Sequence, residues 1–206
     1  HGGKSWLKAF TPDQMMYVDI DPKKKTRNLR EGEVYLDEAF RDMPINNRYI
    51  PEKDLKNILF EKGIDVKQSN LDIRNQRITL GEAWVQYRKS HNKGISKPDM
   101  AKWNTTFNLL AIRTPADSMS GTRVLRFRGF TGQRGAGSFT HHKDNVYLGG
   151  ADKDSDSIKI FQGFSNKLTN KFKKVADERA HLKGEYKDKL EKEFTDPEIG
   201  RASCRE

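Results

Sequence analysis

The sequence predicts an α+β protein: a small β-barrel or sandwich, entered from helical and irregular segments and left through a long charged helix. Three observations carry this. Five short apolar runs between residues 107 and 162 are broken by Gly, Asp-Ser and Pro, the texture of short strands in a compact β unit. Upstream, two windows place apolar residues at helical spacing. Downstream of residue 164 the chain becomes charged on most faces, while Phe164, Leu168, Phe172 and Val175 recur at helical spacing.

In chain order, residues 1–50 read as charged and irregular, with apolar patches "MMYVDI" and "EVYLDEAF" around the basic turn "DPKKKTRN", which is expected to be solvated. "PEKDLKNILFEKG" (51–63) predicts a helix that Pro51 opens and Gly63 stops. "TLGEAWVQYRKSHNKG" (79–94) predicts a second, with Trp84 as a core residue. "FNLLAIRTP", "TRVLRFRGF", "GSFTHH", "NVYLGG" and "SIKIFQ" are the expected strands. Ser165 is the expected N-cap of the final helix, whose apolar stripe is expected to dock on the barrel. The domain expectation is therefore a flanking region over 1–105, a barrel over 106–163 and a charged helix over 164–197.

The chain has 206 residues, enough for one domain with a real core, and Lys and Arg outnumber Asp and Glu by 39 to 29. That excess favours a polyanionic partner. No apolar run is long enough to span a bilayer, and no secretion signal opens the chain. It starts at His1, and "EIGRASCRE" (198–206) reads as a translated sequencing-adapter tail. The expectation is an internal fragment of a longer protein, with 198–206 an artefact that includes Cys204, the single cysteine.

Asp152, Asp154 and Asp156 lie on alternate positions between two apolar runs. Carboxylates this close repel one another, and a hard cation between them relieves that. An EF-hand does not fit, because Ser157 and Gly163 occupy the sixth and twelfth positions counted from Asp152. Nucleotidyl transfer fits the setting better. A cation held by carboxylates can activate a 3′-hydroxyl and neutralise the α-phosphate, and Arg123, Arg126 and Arg128 of "TRVLRFRGF", with Arg113 and Arg134 on either side of that run, are expected to supply a nucleic-acid channel.

"AIRTPADSMSGTRVLRF…NVYLGGADKDSDSIKIF" (111–161) resembles the catalytic double-psi β-barrel of the largest subunit of multisubunit RNA polymerases, and of the two-barrel RNA polymerases of phages and RNA-silencing systems. Arg113-Thr114-Pro115 stands for the family's R-x-P, and residues 151–156 for its A-D-F-D-G-D. The resemblance implies a double-psi-type barrel and RNA synthesis from nucleoside triphosphates on a nucleic-acid template. It implies that Asp152, Asp154 and Asp156 hold the catalytic magnesium, with manganese as a substitute, and that Arg113 lies beside the incoming ribose. It also implies a second, lysine-bearing barrel from the rest of the chain or another subunit, so the fragment alone is expected to be inactive. The setting implied is the host-cell cytoplasm or a virion. Lys153 and Ser155 stand where the family has a bulky apolar residue and glycine.

Two alternatives stand beside this: a non-catalytic, basic nucleic-acid-binding or structural virion protein with a relic barrel, and a calcium-stabilised turn. "GFTGQRGAG" (129–137) is not a P-loop, the neighbours His141 and His142 face opposite sides of a strand, and Ser118 and Ser120 lack a nucleophile setting.

Overall fold

A computed structural model describes residues 2–10, 29–67, 71–114, 121–132, 134–135, 137–141, 144, 148 and 157–175. Among the described residues eight strands alternate with helices: β1 (Gly2–Phe10), β2 (Glu33–Leu36), β3 (Pro44–Ile45), α1 (Glu52–Glu61), β4 (Ile78–Thr79), α2 (Leu80–Asn92), α3 (Lys97–Thr106), β5 (Asn108–Thr114), β6 (Thr122–Phe130), β7 (Ser138–His141) and β8 (Ser157–Phe161). Residues 166–175 are helical. No described helix is long and apolar enough to cross a membrane.

Six strands pair in the order β1-β7-β2-β6-β5-β8, and β8 pairs back to β1, so the ladder closes. The β1·β7 and β2·β6 pairs are parallel; the other four are antiparallel. This ring has an internal two-fold. Exchanging β1 with β6, β2 with β7 and β5 with β8 turns each pairing into another of the same sense, and β2·β7 and β5·β8 map onto themselves.

Strand directions then sort the connections. β1, β5 and β7 run one way and β2, β6 and β8 the other, which brings the β1–β2, β5–β6 and β7–β8 connections to one end, the loop end. The long helical connection from β2 to β5 and the glycine-rich one from β6 to β7 leave from the opposite end.

The helical connection and the barrel share one core. Val34, Leu125, Phe127 and Ile160 from the strands join Leu55, Leu59, Leu80 and Trp103 from the helices. The seam is aromatic: Trp84 meets Phe127 edge-on at 5.0 Å, Trp103 stacks on Phe107 at 5.4 Å, and Phe127 meets Phe130 at 4.8 Å. Such pairs prefer offset and edge-to-face geometry and add to simple burial. The Arg41 guanidinium covers Phe130 at 4.4 Å. Gly81 admits this arm, since a Cβ there would fall 2.4 Å from Arg41 Cγ.

Helix ends follow the local chemistry. Thr79 and Glu82 form a reciprocal capping box at α2, and Ser96 caps α3 by accepting from the Asp99 N–H at 3.3 Å. Gly63 leaves α1 at φ +75°, as a C-terminal stop requires.

The expected helices are found within 51–63 and 79–94, and the expected strands within 107–114, 122–130, 137–141 and 157–162. Three expectations change. The barrel does not lie within 106–163, because β1 and β2 supply two of its six strands. "EVYL" is a strand rather than an irregular patch; all four residues are buried, which removes the alternation that marks a half-exposed strand. α3 was not anticipated. Of "NVYLGG" (145–150) only Leu148 is described, its N–H bonding the Asp144 carbonyl at 2.9 Å; the strand expected there otherwise lies outside the described residues.

Candidate functional site

The two elements that carry the site expectation meet at the loop end. β5 and β8 are antiparallel neighbours, with Arg113 opposite Ile158 and Thr114 opposite Ser157. Asp152, Asp154 and Asp156 lie outside the described residues, but Asp156 precedes Ser157 directly, and consecutive Cα atoms are about 3.8 Å apart. The other end of their connection is anchored nearby. A Cβ placed on Gly121 would lie 3.5 Å from Arg113 Cβ and 4.0 Å from the Leu148 carbonyl oxygen. Gly121 therefore marks where the Arg113 strand and the turn before the aspartates come together. Leu148 and Ser157, which bracket the segment 149–156, both sit beside the end of β5.

Asp144 ties this end together. Its side chain is fully buried. One oxygen accepts the Gly32 N–H at 2.7 Å and the other accepts Arg123 Nε at 2.9 Å. Arg123 also donates to Glu31 at 3.0 Å. One charge-assisted network thus joins the entry to β2, the start of β6 and the connection towards β8. Burial pushes the Asp144 carboxyl above the ordinary aspartate range, and the Gly32 N–H and the Arg123 guanidinium oppose that shift.

The five arginines do not share one channel. Side chains alternate along β6, with Arg123, Leu125 and Phe127 buried while Arg126 and Arg128 face outward. Arg123 is thus on the inner side, already matched by two carboxylates. Arg128 reaches Glu33 at 3.5 Å. Arg126 borders a cleft beside the helix of residues 166–175. Arg134 sits in the β6–β7 connection at the opposite end, exposed and 3.8 Å from Asp42. Among the described residues Arg113, beside the start of β8, and Arg123, through Asp144, are the two at the end that carries the aspartate connection. The separation of Arg123 from Arg126 was readable from parity, since odd and even positions of one strand face opposite ways. The Arg123–Asp144 pair was not, because 21 residues separate the partners.

His141 is half-buried at the end of β7, while His142, Ser118 and Ser120 lie outside the described residues. Among the described residues no three His, Cys, Asp or Glu side chains converge as a metal site. The expected stripe on the last helix is also rearranged: Leu168 is 39% exposed, Phe164 and Phe172 contact each other at 6.2 Å, and Thr169, Asn170 and Lys173 line the cleft against the barrel. Ser165 does cap this helix, accepting from the Leu168 N–H at 3.3 Å.

No protein-family model matches the chain, and no curated protein matches it significantly.

Proposed function

We propose that the chain is a fragment of a nucleic-acid polymerase and carries its catalytic double-psi-type barrel, the part that binds magnesium for RNA synthesis. The observation that carries this reading is the meeting of two separated sequence elements. Arg113 and Thr114 pair with Ile158 and Ser157 in a closed ring of six strands, so the residue that follows the aspartate segment is tethered beside the R-x-P segment.

In this reading Asp152, Asp154 and Asp156 hold magnesium or manganese, and the donor set fits, because three carboxylates supply the oxygen ligands a hard cation takes. The metal, when bound, lowers the pKa of the attacking hydroxyl and offsets charge on the α-phosphate. Arg113 orients the incoming nucleoside triphosphate near its ribose. The buried Asp144–Arg123 pair holds the entry to the segment, leaving nucleotide contact to other residues. A second barrel, from the missing part of the chain or another subunit, supplies the remaining cationic groups.

The test is manganese titration of the purified chain, read by water-proton relaxation, beside Asp154→Asn. One site in the parent and none in the variant is the expected result. A folded chain that binds no manganese, or binds it equally after the substitution, overturns the metal assignment. Lys153 and Ser155 favour a second reading, a relic barrel that binds nucleic acid without catalysis. Magnesium-dependent elongation by the complete parent protein would reject it.

A further inference from the structure

We infer that the recess between the segment that follows β3 and the segment that precedes β4 is a binding site for a phosphate-type oxyanion. It lies in the helical connection and involves none of the aspartates, so it stands or falls apart from the polymerase reading.

The two-stranded ribbon builds the recess. Ile45 of β3 pairs with Ile78 of β4, so the stretches 46–47 and 74–77 lie against one another just beyond the pair. Each stretch enters a short 3-10 turn, Asn47–Tyr49 and Ile73–Asn75. Hydrogen bonds fix their spacing. The Asn47 side-chain amide donates to the Gln76 carbonyl at 2.8 Å, and the Asn46 N–H donates to Gln162 Oε1 at 2.8 Å. The recess holds about 570 Å³, and Arg74, Arg77, Asn46, Asn75 and Gln76 line it beside Pro44. None of its described lining residues is acidic.

Arg74 is the pinned cation of this wall. It is half-buried, and its Nη1 donates to the carbonyls of Asn47, Arg48 and Ile50 at 2.6, 3.2 and 3.0 Å. Nη1 alone is engaged: among the described residues Nε and Nη2 find no acceptor, and no carboxylate lies within ion-pair distance. Asp72 instead accepts the Arg74 N–H at 2.9 Å and the Asn75 amide at 2.7 Å. Glu52 feels the Arg74 charge but pairs with Lys56. Arg77 is exposed, and its guanidinium has no partner among the described residues.

The contrast with other arginines is direct. Arg41, Arg123, Arg128 and Arg134 each reach a carboxylate, which offsets their charge. Neutral carbonyls hold Arg74 without offsetting its charge, so its remaining N–H groups present a positioned fork to an oxyanion. One fork already satisfies a carboxylate. Two guanidinium groups in a recess walled by amides suit the larger oxygen set of a phosphate group.

The experiment is calorimetry on the whole chain in metal-free buffer at constant ionic strength. Inorganic pyrophosphate is titrated in one arm and a thymidine tetranucleotide without terminal phosphate in the other. The variant is Arg77→Gln, whose side chain holds nothing in the fold, and the control is Lys97→Gln, an exposed α3 lysine with the same charge change. We expect saturable binding that weakens about tenfold in Arg77→Gln, the scale of one charge-assisted contact. The control should stay within about twofold of the parent, as loss of a remote surface charge implies. This pattern supports the site in either arm: tighter pyrophosphate binding identifies a free anion as the source, and tighter tetranucleotide binding a phosphodiester. No saturable binding of either probe by the folded parent overturns the proposal. Equal losses in Arg77→Gln and Lys97→Gln also overturn it, by showing that net charge alone matters. So does displacement of the bound probe by acetate as readily as by phosphate.

Discussion

Two buried aspartates, one in the helical connection and one at the loop end of the barrel, are stabilised in opposite ways. Asp54 of α1 accepts three neutral donors: Gln86 Nε2 at 2.9 Å, Ser90 Oγ at 2.6 Å and Trp103 Nε1 at 3.0 Å. One carboxylate thereby locks α1, α2 and α3 together. Asp144 instead takes an arginine and a single backbone N–H. The helical region spreads one charge over several dipoles, while the loop end depends on a discrete ion pair. The lesson is that the barrel end responds to charge in a way the helical region does not. A buried pair is costly to break by removing one partner, because the other is left charged and unpaired.

The largest effect should come from Arg123→Met. It strands Asp144, and urea denaturation should show a loss of about 3–5 kcal/mol. Asp54→Ala should cost less, about 2–4 kcal/mol by the same measurement, through three donors left without an acceptor. If Asp54→Ala were the more damaging, the comparison would be reversed and the barrel end would be the more tolerant region.

The pH response sharpens the contrast. A carboxyl whose folded pKa is raised binds its proton more tightly when folded. It therefore contributes stability below the ordinary aspartate pKa, and that contribution is lost as pH rises through the raised value. Thermal melts of the parent relative to Asp144→Asn should show this difference declining upward from about pH 3.8, the ordinary value. The smallest expected effect is Thr79→Ala, which removes one side of the α2 capping box and should cost about 1 kcal/mol in the same urea assay.

Legibility in the sequence followed locality. α1 and α2 were readable because Pro51, Gly63 and the Thr79–Glu82 spacing are signals within one or two turns. β5 and β6 were readable as apolar runs between breakers. α3 has a local signal too, Ser96 followed by Pro98 and Asp99, but its amphipathic pattern is weak, with Trp103 and Thr106 its only buried residues. β2 escaped because both its faces are covered. β1 pairs with β7 and β8 across most of the chain, a contact no local pattern encodes. At the site, the aspartate triplet and Arg113 could be picked out by type and spacing. The role of Arg123 could not, since its meaning depends on Asp144 and Glu31 arriving from two other connections.

The sequence by itself determined the α+β class, the positions of two helices and four barrel strands, and the residue types that could hold a cation or contact phosphate. Each of these rests on short-range stereochemistry: side-chain periodicity, capping, and the restricted backbones of Pro and Gly. Only the tertiary structure decided that the ladder closes, that three connections share one end, and which arginines are neutralised. Those outcomes depend on pairing between strands far apart in the chain. Burial then sets whether a charged side chain must find a partner or remains available to a ligand.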